Sequence, residues 1–142
     1  KYISEYAKAG SDTIIIHYEA SHNIAEDLQK IKSYNRNAGI AINPDTDYRL
    51  LIPYLEDLDY ILIMSVFPGF GGQEFIESTL ESMRYLVDNT KNHNITIGVD
   101  GGVNLSTIDR VYQTGIDVTI VGSALYGATN VEQRYLELIN EK

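Results

Sequence analysis

A single aspartate followed by two glycines, Asp100-Gly101-Gly102, and two further glycine-bearing turns are the residues of this chain best placed to do chemistry. The longest of these turns is Met64-Ser65-Val66-Phe67-Pro68-Gly69-Phe70-Gly71-Gly72-Gln73, which follows the apolar run Tyr60-Ile61-Leu62-Ile63 and precedes an amphipathic segment. Glycines there let backbone N–H groups come close to an anion, which the start of the next helix also attracts. The second turn, Val99-Asp100-Gly101-Gly102, ends the run Ile95-Thr96-Ile97-Gly98, and the third, Gly122-Ser123, ends Val118-Thr119-Ile120-Val121. Glycine turns at the carboxyl ends of successive strands point to one shared phosphate site. Asp100 opens the second of these turns, at the end of its strand.

The elements that must position these turns can be read from the apolar spacing. A first helix starts near Tyr2, carries Ile3, Tyr6 and Ala7 on one face and stops at Gly10. Thr13-Ile14-Ile15-Ile16-His17 is short and apolar enough for a buried parallel strand. Ile24, Leu28 and Ile31 mark a helix from about Asn23 to Ser33, and Gly39-Ile40-Ala41-Ile42-Asn43 a strand stopped by Pro44. A helix near Asp47 to Leu58 carries Leu51, Ile52, Leu55 and Leu58. Beyond the strand of the 60s, Leu80, Met83 and Val87 share a face of a helix near Glu77 to Asn89, with Ser78 and Glu81 spaced as a capping box. Asn104 is placed to cap a helix holding Ile108 and Val111 and ending at Gly115. A last helix begins near Thr129, again with capping-box spacing to Glu132, and is expected to bury Val131, Tyr135, Leu138 and Ile139.

Five strands each followed by a helix, with one helix in front, imply a parallel sheet with right-handed crossovers. Phosphate nests on the last three units favour the TIM (β/α)8 barrel, whose phosphate site lies in the loops after its final strands. An open doubly wound sheet would instead gather its glycines into one G-x-G-x-x-G turn, a pattern this sequence lacks. Because the first helix has no strand before it and the chain opens on Lys1, residues 1–142 are expected to form a single partial barrel domain without its N-terminal strands.

Composition narrows the function classes. The formal charge of −9, with acidic residues scattered, argues against nucleic acid or an anionic membrane as partner. It leaves a sugar phosphate open, since a backbone nest needs no Lys or Arg. Cysteine is absent, which excludes disulfides and thiolate metal sites. No apolar run approaches the roughly 18 residues of a membrane span, and no signal peptide is visible, so a cytoplasmic protein is expected.

Taken in order, His17-Tyr18-Glu19-Ala20, Gly39-Ile40-Ala41-Ile42-Asn43-Pro44-Asp45-Thr46, the Met64–Gln73 stretch, Val99-Asp100-Gly101-Gly102-Val103 and Gly122-Ser123-Ala124 resemble the C-terminal two-thirds of the ribulose-phosphate 3-epimerase family. The resemblance implies strands four to eight of the barrel. It also implies reversible epimerisation at C3 of a ketose phosphate, D-ribulose 5-phosphate to D-xylulose 5-phosphate. One group removes the proton beside the C2 carbonyl and another returns it on the opposite face, and a divalent metal, Zn, Fe, Mn or Co, stabilises the enediolate between. By that similarity Asp100 is the acid on one face and a metal ligand. Met64, Gly69, Phe70, Gly71, Gly72, Gly101, Gly102, Gly122 and Ser123 bind substrate, with Met64 covering the reacting carbons. The partner aspartate, two histidine ligands and a strand-one serine belong to earlier strands, so this chain alone is expected to be inactive and its full-length parent a homo-oligomer. A related hexulose-6-phosphate 3-epimerase and a non-catalytic sugar-phosphate-binding fragment are the alternatives.

An aspartate before two glycines is also common turn chemistry, and glycine-rich loops often only turn the chain. His17 and Glu19, two apart on a strand, could hold a metal together, yet the family places no ligands there and a polar strand end is the expectation. His22 and His93 sit in polar loops and are expected to be solvated. Phe67 stands where many members of the family carry a polar residue.

Overall fold

The computed structural model describes residues 2–140. Five strands, β1 (Thr13–His17), β2 (Asn37–Ile42), β3 (Tyr60–Met64), β4 (Thr96–Asp100) and β5 (Val118–Ile120), form one sheet in the order β1-β2-β3-β4-β5. All neighbouring pairs are parallel. This strictly sequential order is that of a (β/α) barrel wall and not of a doubly wound sheet, whose strand order reverses at its centre.

Register divides the strand residues between two faces. Ile16 pairs with Ile40, Ile40 with Ile61 and Ile61 with Ile97, while Ile42 pairs with Ile63 and Ile63 with Val99. These side chains meet Leu28 and Ile31 of α2 (Ile24–Ser33), Met83 and Leu86 of α3 (Thr79–Thr90), and Ile108 and Val111 of α4 (Ile108–Tyr112) in the main apolar core. Burying one such side chain contributes about 1.5–3 kcal/mol. On the opposite face, His17, Ala41, Leu62, Gly98 and Val118 form one row, and Met64, Asp100 and Ile120 the next row toward the carboxyl ends. The row that would do chemistry therefore lies on the face the helices leave open.

The helices mostly follow their sequence signals. Gly10, with φ +98°, ends α1 (Ile3–Ala9) by donating its N–H to Ala7, and Ser11 donates to Tyr6. The Asn23 side chain caps α2 by accepting from the Glu26 N–H.

Four expectations need correction. The segment Tyr48–Asp57 winds as a 3-10 helix with Pro53 inside it, whose ring would clash with the carbonyl four residues earlier in an α-helix. Leu51, Leu55 and Leu58 are still buried there, and Ile52, about a third of a turn away, is exposed. Neither capping box forms. Ser78 makes no side-chain cap, and Glu81 instead accepts from the Tyr48 hydroxyl at 3.0 Å. Asn130, not Thr129, accepts from the Gln133 N–H at the start of α6 (Val131–Asn140). Asn104 holds a turn ahead of α4, taking the Ser106 N–H, and Thr107 is the cap residue. A short helix, α5 (Ser123–Tyr126), precedes α6 and had no periodic signal.

The sheet margins explain the remaining differences in burial. Tyr6 of α1 is exposed beside β1, and Val131 and Tyr135 of α6 are exposed beyond β5, while Ile3, Ala7 and Leu138 are buried. At each margin the helix has no neighbour on its outer side among the described residues, so only part of its apolar face is covered. Among the described residues no helix is long and apolar enough to cross a membrane.

Candidate active site

The carboxyl ends of β3, β4 and β5 surround a cavity of about 250 Å³. Met64 and Asp100, the loop residues Gly69, Phe70, Gly71 and Gly72, the pair Gly101 and Gly102, and Gly122 with Ser123 all line it. Every residue singled out from the sequence as a site residue is thus brought to one place.

Asp100 reaches the cavity because it is the last residue of β4 and pairs with Met64 and Ile120 on the open face. Among the described residues nothing donates a hydrogen bond to its carboxylate, although its backbone carbonyl accepts from the Ser65 N–H at 2.8 Å. Burial raises its pKa above the ordinary value. A carboxylate without donors, held on the floor of a cavity beside the apolar Met64, is suited to accepting a proton or a cation.

The glycines serve different ends. Gly69 and Gly72 have φ of +145° and +76°, and a Cβ on either, or on Gly71 or Gly122, would meet open space. Gly101 and Gly102 are enclosed instead: a Cβ on Gly102 would lie 2.6 Å from the backbone N of Phe75, and one on Gly101 would run into the Val66 side chain. Their φ values of +117° and +65° add a conformational reason for glycine. The N–H groups of Gly71, Gly102 and Ser123 have no acceptor among the described residues, as an anion site built from backbone requires.

Two supporting residues escaped the sequence reading. The Gln73 amide reaches back to donate to the carbonyls of Phe67 and Phe70 at 2.7 and 2.8 Å, fixing the loop between them. Its position directly after Gly71-Gly72 was the signal, since a long amide there can span a tight turn. Ser65, fully buried, donates to the carbonyls of Asp100 and Gly101. A hydroxyl between Met64 and Val66 was the corresponding sign.

His17 and Glu19 take a structural part. Nδ1 of His17 lies 3.3 Å from Glu19 Oε2, and Glu19 Oε1 accepts from the Asn43 N–H at 2.8 Å and from the Thr46 hydroxyl. Burial pushes the Glu19 carboxyl up, but these hydrogen bonds outweigh it and hold the pKa below its ordinary value. Glu19 thereby ties the end of β1 to the end of β2. His22 is exposed, whereas His93 is not solvated as expected: it is partly buried with Nε2 3.1 Å from Glu56. Phe67 is half-exposed at the cavity. No three His, Cys, Asp or Glu residues among those described converge on a point that could hold a metal.

Against known proteins, the model of the ribulose-phosphate 3 epimerase family matches residues 1–126. The ribulose-phosphate 3-epimerase of Aquifex aeolicus (strain VF5) is 38% identical over 140 residues, covering 97% of this chain and 63% of that protein. That of Bacillus subtilis (strain 168) is 36% identical over 145 residues, covering 100% of this chain and 67% of the relative. The chain therefore spans about two thirds or less of these relatives' length. Among solved structures, KGPDC from Streptococcus mutans superposes with a TM-score of 0.71 at 15% identity, covering 98% of this chain and 64% of that one. At that identity the likeness speaks for the fold alone, a (β/α) barrel.

Proposed function

This chain belongs to the ribulose-phosphate 3-epimerase family, and from that premise we propose that it supplies the phosphate-binding side and one acid–base group of an enzyme that interconverts D-ribulose 5-phosphate and D-xylulose 5-phosphate. The observation carrying this reading is that Asp100 and the three glycine turns line one cavity. The Gly71, Gly102 and Ser123 N–H groups bind the phosphate, which places the sugar across the open face of the sheet. Asp100 then exchanges a proton at C3 on one face. Met64, beside it in the same row, keeps water from that carbon.

Inversion needs a second group on the opposite face, and the cavity holds one carboxylate among the described residues. The second acid and the other metal ligands come from strands outside this chain, which would pair with the free edges of β1 and β5. The donor set fits a divalent metal in part: the Asp100 carboxylate takes no hydrogen bond from the described residues and is free to serve as one ligand. When bound, the ion would stabilise negative charge growing on the C2 oxygen. For its own part, Asp100 takes the proton and the loops fix the sugar's position.

The test is direct. The complete gene product should convert D-ribulose 5-phosphate to D-xylulose 5-phosphate, followed by NMR of both sugars, and lose that activity on chelation. The 142-residue chain alone should bind the sugar phosphate without converting it. Turnover by the chain alone equal to that of the complete product would overturn the assignment of essential groups to other strands. Faster turnover of a hexulose 6-phosphate would move the substrate to that related sugar.

A further inference from the structure

Ser65 is the one fully buried hydroxyl at the end of β3, and its position is not explained by packing alone. It sits between Met64 and Val66, which are both buried, at a point where an alanine would fill the space with no polar atom to satisfy. Its N–H donates to the Asp100 carbonyl at 2.8 Å, and its Oγ lies 3.2 Å from that carbonyl and 2.5 Å from the carbonyl of Gly101. Its own carbonyl accepts from the Ile76 N–H at 2.9 Å, so the residue that reaches β4 is also anchored to the segment leading into α3.

The Gly101 carbonyl has a definite consequence for the phosphate nest. A peptide unit is planar and trans, so its C=O and the following N–H point in opposite directions. With the Gly101 oxygen drawn in toward the buried Ser65, the Gly102 N–H must face away from it, and that N–H has no acceptor within the described chain. The backbone here is in a region L-residues rarely adopt, with φ of +117° at Gly101 and +65° at Gly102. Glycine enters that region without strain, so the orientation of the peptide between the two is set by what holds it. The Ser65 hydroxyl is the side-chain group that does so at this peptide.

We infer that Ser65 is a positioning residue for phosphate recognition: by fixing the Gly101 carbonyl it orients the Gly102 N–H into the anion site. This rests on the phosphate-binding reading given above. It goes beyond that reading in assigning part of the affinity for the phosphate to a side chain that never touches the ligand. With the hydroxyl gone, the Gly101–Gly102 peptide loses the side-chain tie on its carbonyl, and the nest loses a donor it would otherwise hold ready.

The test is inhibition of the complete gene product by inorganic phosphate, measured beside the affinity for D-ribulose 5-phosphate and for unphosphorylated ribulose. Ser65→Ala should weaken phosphate and ribulose 5-phosphate by about tenfold, the effect of losing one well-placed hydrogen bond to a charged group, and leave ribulose unchanged. Ser65→Cys, similar in size but a weak donor, should lose phosphate affinity in the same sense, and it serves if the alanine variant does not fold. Ser65→Thr, which keeps the hydroxyl, should restore phosphate affinity toward the original. Equal losses for ribulose and ribulose 5-phosphate, or unchanged phosphate inhibition in folded Ser65→Ala and Ser65→Cys, would overturn the inference. If the unsubstituted protein itself shows no preference for the phosphorylated sugar, it is the phosphate-binding reading that fails.

Discussion

Glu19 and Asp100 are both carboxylates at the carboxyl end of a strand, one following β1 and the other closing β4, and their surroundings have opposite effects. Glu19 accepts hydrogen bonds from Asn43 and Thr46 and is held below its ordinary pKa. Asp100 receives none from the described residues, and burial raises its pKa. A carboxylate at a strand's carboxyl end is thus a structural tie at one end of the sheet and, in the function proposed above, an acid–base group toward the other. Stability is spent at Asp100, where a donor would silence the group, and gained at Glu19.

The largest expected difference between them is in turnover. In the complete gene product Asp100→Asn should lower epimerisation by at least about a hundredfold, the low end for a lost general acid or base, with the fold intact by circular dichroism. Glu19→Gln should leave turnover within a few-fold and lower stability in chemical denaturation by about 1 kcal/mol, since partial exposure discounts the lost charged hydrogen bonds. A loss of turnover at Glu19 as deep as at Asp100 would erase the contrast.

A second pair of variants sharpens the same division among the glycines. Gly102→Ala places a Cβ 2.6 Å from the Phe75 backbone and should destabilise by roughly 1–3 kcal/mol. Gly71→Leu extends into open space and should change stability by no more than about 0.5 kcal/mol, while weakening ribulose 5-phosphate more than ribulose. Equal melting points for the two variants would break the distinction between enclosed and open glycines.

The smallest effect is in the pH dependence of stability, and the two carboxylates should contribute with opposite sign. Because the folded pKa of Asp100 is raised, the folded state holds its proton more tightly, and the contribution of this group declines as pH rises from its ordinary pKa through the raised one. Glu19, with its folded pKa lowered, contributes above its ordinary pKa and loses that contribution as pH falls through the lowered one. Difference denaturation curves against pH for Asp100→Asn and Glu19→Gln should therefore slope in opposite directions. At neutral pH the Asp100→Asn fold should be the more stable of that variant and its parent.

Most of the architecture was legible because the strands are short, mostly apolar runs, and Ile24, Leu28 and Ile31 keep a helical period. The candidate site was legible in the same way, since its residues lie at or after three strand ends. What escaped the sequence depends on contacts distant along the chain. Ser65 reads as one more small residue until β4 is laid beside β3, and Glu19 reads as a polar strand end until Asn43 and Thr46 arrive. The capping boxes failed because Glu81 was drawn to Tyr48 and because Asn130, one residue on, was the better-placed acceptor. Gly71 and Gly102 look alike in sequence, and the approach of Phe75 together with the positive φ at Gly102 separates them.

The most direct measurement of the central claim, that Asp100 moves the proton on one face of C3, is solvent deuterium exchange by the Asp100→Asn variant of the complete gene product, read by NMR of both pentulose phosphates. The account predicts that deuterium still enters C3 of one epimer through the remaining acid, while interconversion of the two falls at least about a hundredfold. Interconversion at the unsubstituted rate would contradict it.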